Sequence, residues 1–272
     1  MKTLVVVQAR TGSSRLPAKV LLPLAGAPLL ERQLERIRAA RPRSGFEVVV
    51  ATSTLPGDAP IVALCQRLGV ACFRGHPTDL LDRHYRAASQ AGAEAVVKIP
   101  SDCPLLDPVA VEKVLDAFEE RRGELDYLSN LHPPSWPDGH DVEVMSLSAL
   151  AVAHREATAP HEREHTTPFL WERPERFRIG NVTRPGGEDL SSTYRLTIDY
   201  PEDYALIAAV YRALWSERRP VFPLSDVLAY LDAHPAVAAR NAAYLGVTWY
   251  TRHLAEQSGT PGPLKGLEKG MA

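Results

Sequence analysis

The chain has 272 residues, 45% of them hydrophobic, with 31 Lys and Arg against 33 Asp and Glu for a formal net charge of −2. This composition excludes a disordered or fibrous protein, and without a global positive field it argues against a nucleic-acid partner, so any phosphate site must be local. Cys65, Cys72 and Cys103 are an odd count without C-x-x-C spacing, which points away from a disulfide framework or a zinc knuckle and toward the cytoplasm.

In chain order, residues 4–7 form a short apolar run that reads as a first strand. A helix follows over residues 29–40, with apolar positions at Leu30, Leu34 and Ile37, then a buried strand over 46–51. Residues 60–68 read as helix, 70–73 as strand, 77–91 as helix and 95–99 as strand, with Gly69 and Gly92 as breaks. Asp107 before Pro108 is an N-cap signal for a helix to about residue 121. This alternation is the pattern of parallel strands joined by crossover helices. Between 126 and 189 it gives way to a proline-rich loop at 132–137, an alternating strand at 141–145, two helical stretches and a strand at 177–182. The α/β pattern returns with a strand at 194–198 and a helix at 202–215. The expectation is a single α/β domain over residues 1–255, with about 130–180 as an inserted lid or dimerisation region, and a disordered Gly/Pro-rich tail over 256–272. No apolar stretch reaches the roughly eighteen residues of a membrane span.

Directly after the first strand, the string QARTGSSRLPAK at 8–19 packs three cations, one glycine and three hydroxyls into a loop. Gly12 and small neighbours leave amide groups free to point at a ligand, and Arg10, Arg15 and Lys19 are spaced to neutralise separate phosphates. Open α/β sheets bind ligands at such strand ends. The loop fits neither a Walker A string nor a dinucleotide fingerprint. On composition alone, a solvated polar loop remains an equal alternative.

The string from Gln8 to Ile37 resembles the N-terminal signature of the SpsF-like spore coat polysaccharide cytidylyltransferases, relatives of the CMP-sialic acid and CMP-KDO synthetases. Further segments resemble that family in order: DLLDRHYRAA at 79–88, KIPSDCPLLDP at 98–108, GHDVEVMSLSAL at 139–150, HEREHTTPFL at 161–170 and YRLTIDYPEDYALI at 194–207. The resemblance implies a three-layer, nucleotide-diphospho-sugar transferase-like (Rossmann-like) fold with a mixed, mainly parallel sheet. It also implies transfer of CMP from CTP to an acidic or modified sugar with release of pyrophosphate. Gln8, Ala9, Arg10, Gly12, Ser13, Arg15, Lys19 and Arg83 are then the nucleotide-binding set, and Arg10, Arg15 and Lys19 the residues that stabilise the departing pyrophosphate. Cytosine preference comes from the resemblance alone, through a pocket around Gln8 and Arg10.

Asp102 and Asp199 each follow an apolar strand, where paired carboxylates suit a hard cation such as Mg²⁺. Taken singly, each reads more readily as a turn or capping carboxylate; the resemblance assigns both as the Mg²⁺ ligands. On the acceptor side it points to Arg163, His165 and Arg195, where a cation suits a substrate carboxylate. Asp141 and Glu143, on one strand face, suit sugar hydroxyls. The string His161-Glu162-Arg163-Glu164-His165 has zincin-like spacing, but Arg163 inside it and Pro168 after it argue against a zinc helix. The relatives are commonly homodimers. A nucleotide-sugar-dependent glycosyltransferase and a catalytically silent nucleotide-binding protein are the rival readings.

Overall fold

The computed structural model describes residues 1–251 and 253. Strand β1 (Thr3–Gln8) is followed by the basic loop, a hairpin of β2 (Pro23–Leu24) and β3 (Ala27–Pro28), and helix α1 (Leu29–Ala39). Then β4 (Phe46–Ser53), α2 (Ala59–Leu68), β5 (Ala71–Gly75), α3 (Leu80–Ala91) and β6 (Ala95–Pro100) alternate as the sequence patterning requires. Helix α4 (Pro108–Glu120) starts at its expected cap, where Asp107 accepts a hydrogen bond from the Val109 amide at 2.8 Å.

Three further strands, β7 (Tyr127–Ser129), β8 (Glu143–Ser146) and β9 (Ile179–Asn181), complete a seven-stranded sheet of order β5-β4-β1-β6-β8-β7-β9. The strands β4, β1 and β6 run parallel to one another, and β8 is antiparallel to both β6 and β7. That reversal matters for function. Glu143, the first residue of β8, pairs with Lys98 near the carboxyl end of β6, so the loop preceding β8 returns to the ligand-binding edge of the sheet.

Alternation along β1 divides the core into two layers. Val5 and Val7 pack with Leu34 of α1, Val111 of α4 and Leu206 of α8 (Pro201–Leu214). On the other face, Leu4 and Val6 pack with Leu81 of α3, Leu150 of α5 (Leu147–Glu156) and Phe169 of α7 (Pro168–Trp171). Each such side chain, fully buried, contributes about 1.5–3 kcal/mol. Between α5 and α7 lies a short helix, α6 (Pro160–His165).

The strand expected at 194–198 is a correction. These residues are extended but make only one bridge, Arg195 with Asp138. Their amides bond two different loops instead of one strand: Leu196 N–H donates to Asp138 O at 2.7 Å and Ile198 N–H to Asp102 O at 2.9 Å. Within residues 130–180, β8 and the start of β9 join the main sheet. The tail expected to be disordered, residues 256–272, lies outside the described residues.

His84 of α3 is fully buried, with Nδ1 2.7 Å from Leu80 O and Nε2 without a partner among the described residues. Burial pushes its pKa from 6.5 down to about 3. The unfolded chain binds this proton below about pH 6.5 and the folded chain does not, so stability is lost as pH falls from about 6.5 to about 3. Denaturation of the wild type at pH 7 and pH 5 is expected to differ by about 2 kcal/mol from this group, and His84→Leu to lose that difference. Equal pH dependence of the two proteins would contradict the assignment.

Candidate active site

The basic loop leaves β1 at the carboxyl edge of the sheet and is held by a carboxylate from another element. Asp58 accepts from the Thr11 amide at 2.7 Å and the Thr11 hydroxyl at 2.8 Å, and its second oxygen accepts from Ser53. Its pKa is lowered because, although burial opposes the charge, the Ser53 and Thr11 hydrogen bonds outweigh it. Thr11 O in turn accepts from the Ser13 and Ala18 amides at 2.9 Å each, which folds the loop back. Ala18 takes φ 53°, and the chain turns so that Lys19 points into the site. Gly12 is exposed, and a side chain there would meet open space. Gln8 Oε1 is buried at the end of β1 without a hydrogen-bond partner among the described residues. Ala9, Arg10, Ser13 and Arg15 line the rest of the loop.

The Lys19 ammonium sits between the two aspartates. Nζ donates to Asp102 Oδ2 at 2.7 Å, to Asp199 Oδ1 at 2.9 Å and to Ile198 O at 2.7 Å. Burial works against this charge, but Asp102 and Asp199 outweigh it and the pKa is raised. Asp199 also accepts from Arg15 at 2.5 Å and from Arg195 at 3.0 Å. Although burial disfavours its charge, Lys19 and Arg15 hold Asp199 well below the usual carboxylate range. Asp102 and Asp199, 97 residues apart in sequence, are thus brought onto one ammonium.

The scaffold behind them is specific. Gln33 of α1, fully buried, donates to Pro100 O and accepts from Cys103 N–H at 3.2 Å, fixing the turn that carries Asp102. Tyr211 of α8 donates to Pro104 O at 2.6 Å in the same turn. Asp199 is fixed by Arg195, whose guanidinium also bonds Asp203 at 3.0 Å and Asp138 at 2.9 Å. Burial notwithstanding, Asp138 and Asp203 keep Arg195 firmly charged. Sequence reasoning placed Arg195 at the sugar; the structure engages its guanidinium with Asp138, Asp199 and Asp203 and with Val247 O. Gly139 makes this contact possible, since at φ 102° a Cβ would stand 2.5 Å from Leu196 C. Gly139→Ala is expected to cost several kcal/mol of stability in urea titration and to reduce turnover; a wild-type midpoint would contradict the packing.

The remaining predicted residues divide. Arg83 is buried and donates to His76 O at 3.1 Å and to Pro77 O at 2.8 Å, so its guanidinium holds the turn before α3. Burial, then the nearby Arg10 charge, lowers its pKa to about 10. Arg10 itself is half-exposed and lies 3.9 Å from Glu164 of α6, joining the loop to that helix. Arg163 is committed to the Asp79 cap of α3, at 2.8 Å, and to His154 O. Glu143 is buried, paired with Lys98 at 2.5 Å and accepting from the Tyr127 hydroxyl at 2.6 Å. For Asp141, burial and the neighbouring Asp138 and Glu143 charges push the pKa up to about 8. His165 stacks on Trp249 with ring centroids 3.9 Å apart, and burial, then Lys98, holds it near 3, so it is neutral. The zincin-like spacing does not assemble: His161 gathers with Glu162 and Glu172, whereas His165 turns to Trp249.

Sequence reasoning missed Asp58, Asp138, Asp203, Gln33 and Lys98. Asp58 and Asp138 lie outside the segments that resemble the family, and Gln33, Lys98 and Asp203 lie inside them; all five act on groups that only the fold brings to them, and the buried position of Lys98, mid-strand among apolar residues, is the one visible signal.

With this geometry in place, comparison with known proteins decides the family. The cytidylyltransferase profile matches residues 4–222. The chain belongs to the cytidylyltransferase family. The spore coat polysaccharide biosynthesis protein SpsF of Bacillus subtilis is 29% identical, across 88% of this chain and 98% of that protein. The structure of a cytidylyltransferase from Leptospira borgpetersenii superposes with a TM-score of 0.81 at 31% identity, covering 88% of this chain and 97% of that one. A CMP-2-keto-3-deoxy-manno-octonic acid synthetase solved with CTP shares the fold, with TM-score 0.58 at 18% identity over 78% of this chain and 99% of that one. The chain is therefore a nucleotidyltransferase of the nucleotide-sugar transferase fold, and the glycosyltransferase alternative falls away. No helix among the described residues is long and apolar enough to cross a membrane.

Proposed function

We propose that this cytidylyltransferase moves CMP from CTP to a hydroxyl of an acidic or modified sugar, for polysaccharide or surface glycan synthesis. The observation that carries the reading is the Lys19 ammonium shared by Asp102 and Asp199 beside the basic loop. Two carboxylates already converging on one cation fit a divalent ion, and Asp102 and Asp199 would hold Mg²⁺. Bound there, Mg²⁺ supplies neutralisation of the α-phosphate and a lower pKa for the attacking hydroxyl.

The sugar oxygen attacks the α-phosphorus in line, the bond to the bridging α–β oxygen breaks, and pyrophosphate leaves. The chain's own part is positioning and charge. Lys19, released from the carboxylates, turns with Arg10 and Arg15 to the phosphates. The loop amides from Ala9 to Ser13 cradle them, and the unpartnered Gln8 Oε1 supports reading of the cytosine amino group at the end of β1. Arg195 keeps Asp199 aimed at the phosphate. Asp141, Glu143, Arg163 and His165 border the acceptor, Arg83 backs Arg10, and a homodimer through residues 130–180 in the cytoplasm belongs to the same proposal.

Pyrophosphate release is the test, with Mg²⁺, each of CTP, UTP, ATP and GTP, and 2-keto-3-deoxy-manno-octonic or N-acetylneuraminic acid as acceptor. Sugar-dependent release from CTP in preference to the purine nucleotides is expected. Release at equal rates from ATP and CTP would contradict the reading.

A further inference from the structure

The segment after residue 238 lies beyond the region matched by the family profile, yet it is tied to both sides of the site. On the metal side, Asn241 Nδ2 donates to Arg195 O at 2.9 Å and to Asp203 Oδ1 at 2.8 Å. Val247 O accepts from Arg195 Nη1 at 3.0 Å, and Tyr244 stacks on Tyr200, next to Asp199, at 3.9 Å between centroids. On the other side, Trp249 stacks on His165 at 3.9 Å and 13° between planes, and His253 on His161 at 4.3 Å, both rings belonging to α6. The neighbour of His165, Glu164, reaches Arg10 of the phosphate loop. Trp171 and Tyr250 meet edge-to-face at 5.3 Å, and His132 lies against Trp171 at 4.5 Å. The chain therefore runs from the aspartate that faces the phosphates to the helix that borders the Lys98–Glu143 pair, and it brings a half-buried indole there.

We propose that residues 247–251, with His253, complete the acceptor pocket as a strap, with the Trp249 indole as the wall against which the sugar ring packs. The inference rests on the transfer reaction proposed above. A pyranose presents an apolar C–H face to an aromatic ring and its hydroxyls to polar groups at its edge, which suits an indole beside His165 and the Lys98–Glu143 pair. By covering the pocket, the same side chain keeps water from competing with the sugar for the α-phosphorus.

The test compares full-length wild type, Trp249→Leu and Trp249→Phe. Calorimetry with CTP and Mg²⁺ comes first, because a wild type that binds no CTP ends the transferase reading itself. Pyrophosphate release is then measured without sugar and with 2-keto-3-deoxy-manno-octonic and N-acetylneuraminic acids. In Trp249→Leu, CTP affinity is expected to stay within about twofold. Sugar-independent release is expected to rise, and the KM of the accepted sugar to rise about fivefold to tenfold with kcat little changed; Trp249→Phe restores most of the KM. Release by Trp249→Leu that matches the wild type both with and without sugar overturns the inference. So does parallel loss of CTP affinity and kcat, which marks a purely structural role.

Discussion

Lys19→Met is expected to lower kcat/KM for CTP by about 10²–10³-fold, the scale of removing one preorganised charge from a transition state. Lys19 is placed for two duties. Without substrate it neutralises Asp102 and Asp199 at 2.7 and 2.9 Å. In the transfer reaction proposed above, it turns with CTP bound to phosphates on which negative charge grows as pyrophosphate departs. Methionine keeps the aliphatic stem and removes both duties. The apo protein should then bind Mg²⁺ more tightly, since the carboxylates no longer share an ammonium, even as turnover collapses. Steady-state pyrophosphate release and metal titration read the two effects; turnover within threefold of wild type would contradict the placement.

Arg195→Met is expected to destabilise the fold by about 3–5 kcal/mol, because it strands carboxylates without a counter-charge. The Arg195 side chain is 1% exposed and bonds Asp203, Asp138 and Asp199 at about 3.0 Å each. Burial drives Asp138 up to about 6 even with Arg195 opposing it. Removing the arginine therefore leaves the fully buried Asp203 side chain without its counter-charge. Val247 and Asn241 lose their anchor in the same stroke, so the C-terminal strap should loosen. Urea denaturation at neutral pH measures the loss, and a change below about 1 kcal/mol would contradict this account.

Why some of this was legible in the sequence and some not follows from range. The strands β1, β4 and β6 and helices α1, α3 and α4 announce themselves because burial on two faces or one stripe writes a local period, and Asp107 and Gly92 punctuate it. The basic loop was readable because its cations lie within one turn of chain. Residues 194–198 mislead for the opposite reason: apolar and polar side chains alternate there as in a strand, but their amides go to two loops, a choice made by Gly139 and Asp138 more than fifty residues earlier. Arg163 and Arg195 look like free cations in a string; only the fold reveals that Asp79 and three aspartates already hold them. Likewise Trp249 is one aromatic in an unremarkable C-terminal stretch until α6 brings His165 beneath it.

The measurement that bears most directly on the central claim is calorimetric titration of CTP, with and without Mg²⁺, into wild type, Asp102→Asn and Asp199→Asn. Metal-dependent CTP binding by the wild type, lost in both variants while each remains folded, is the expected result. Binding that is indifferent to Mg²⁺, or that survives both substitutions, would contradict a metal-assisted transfer centred on these two aspartates.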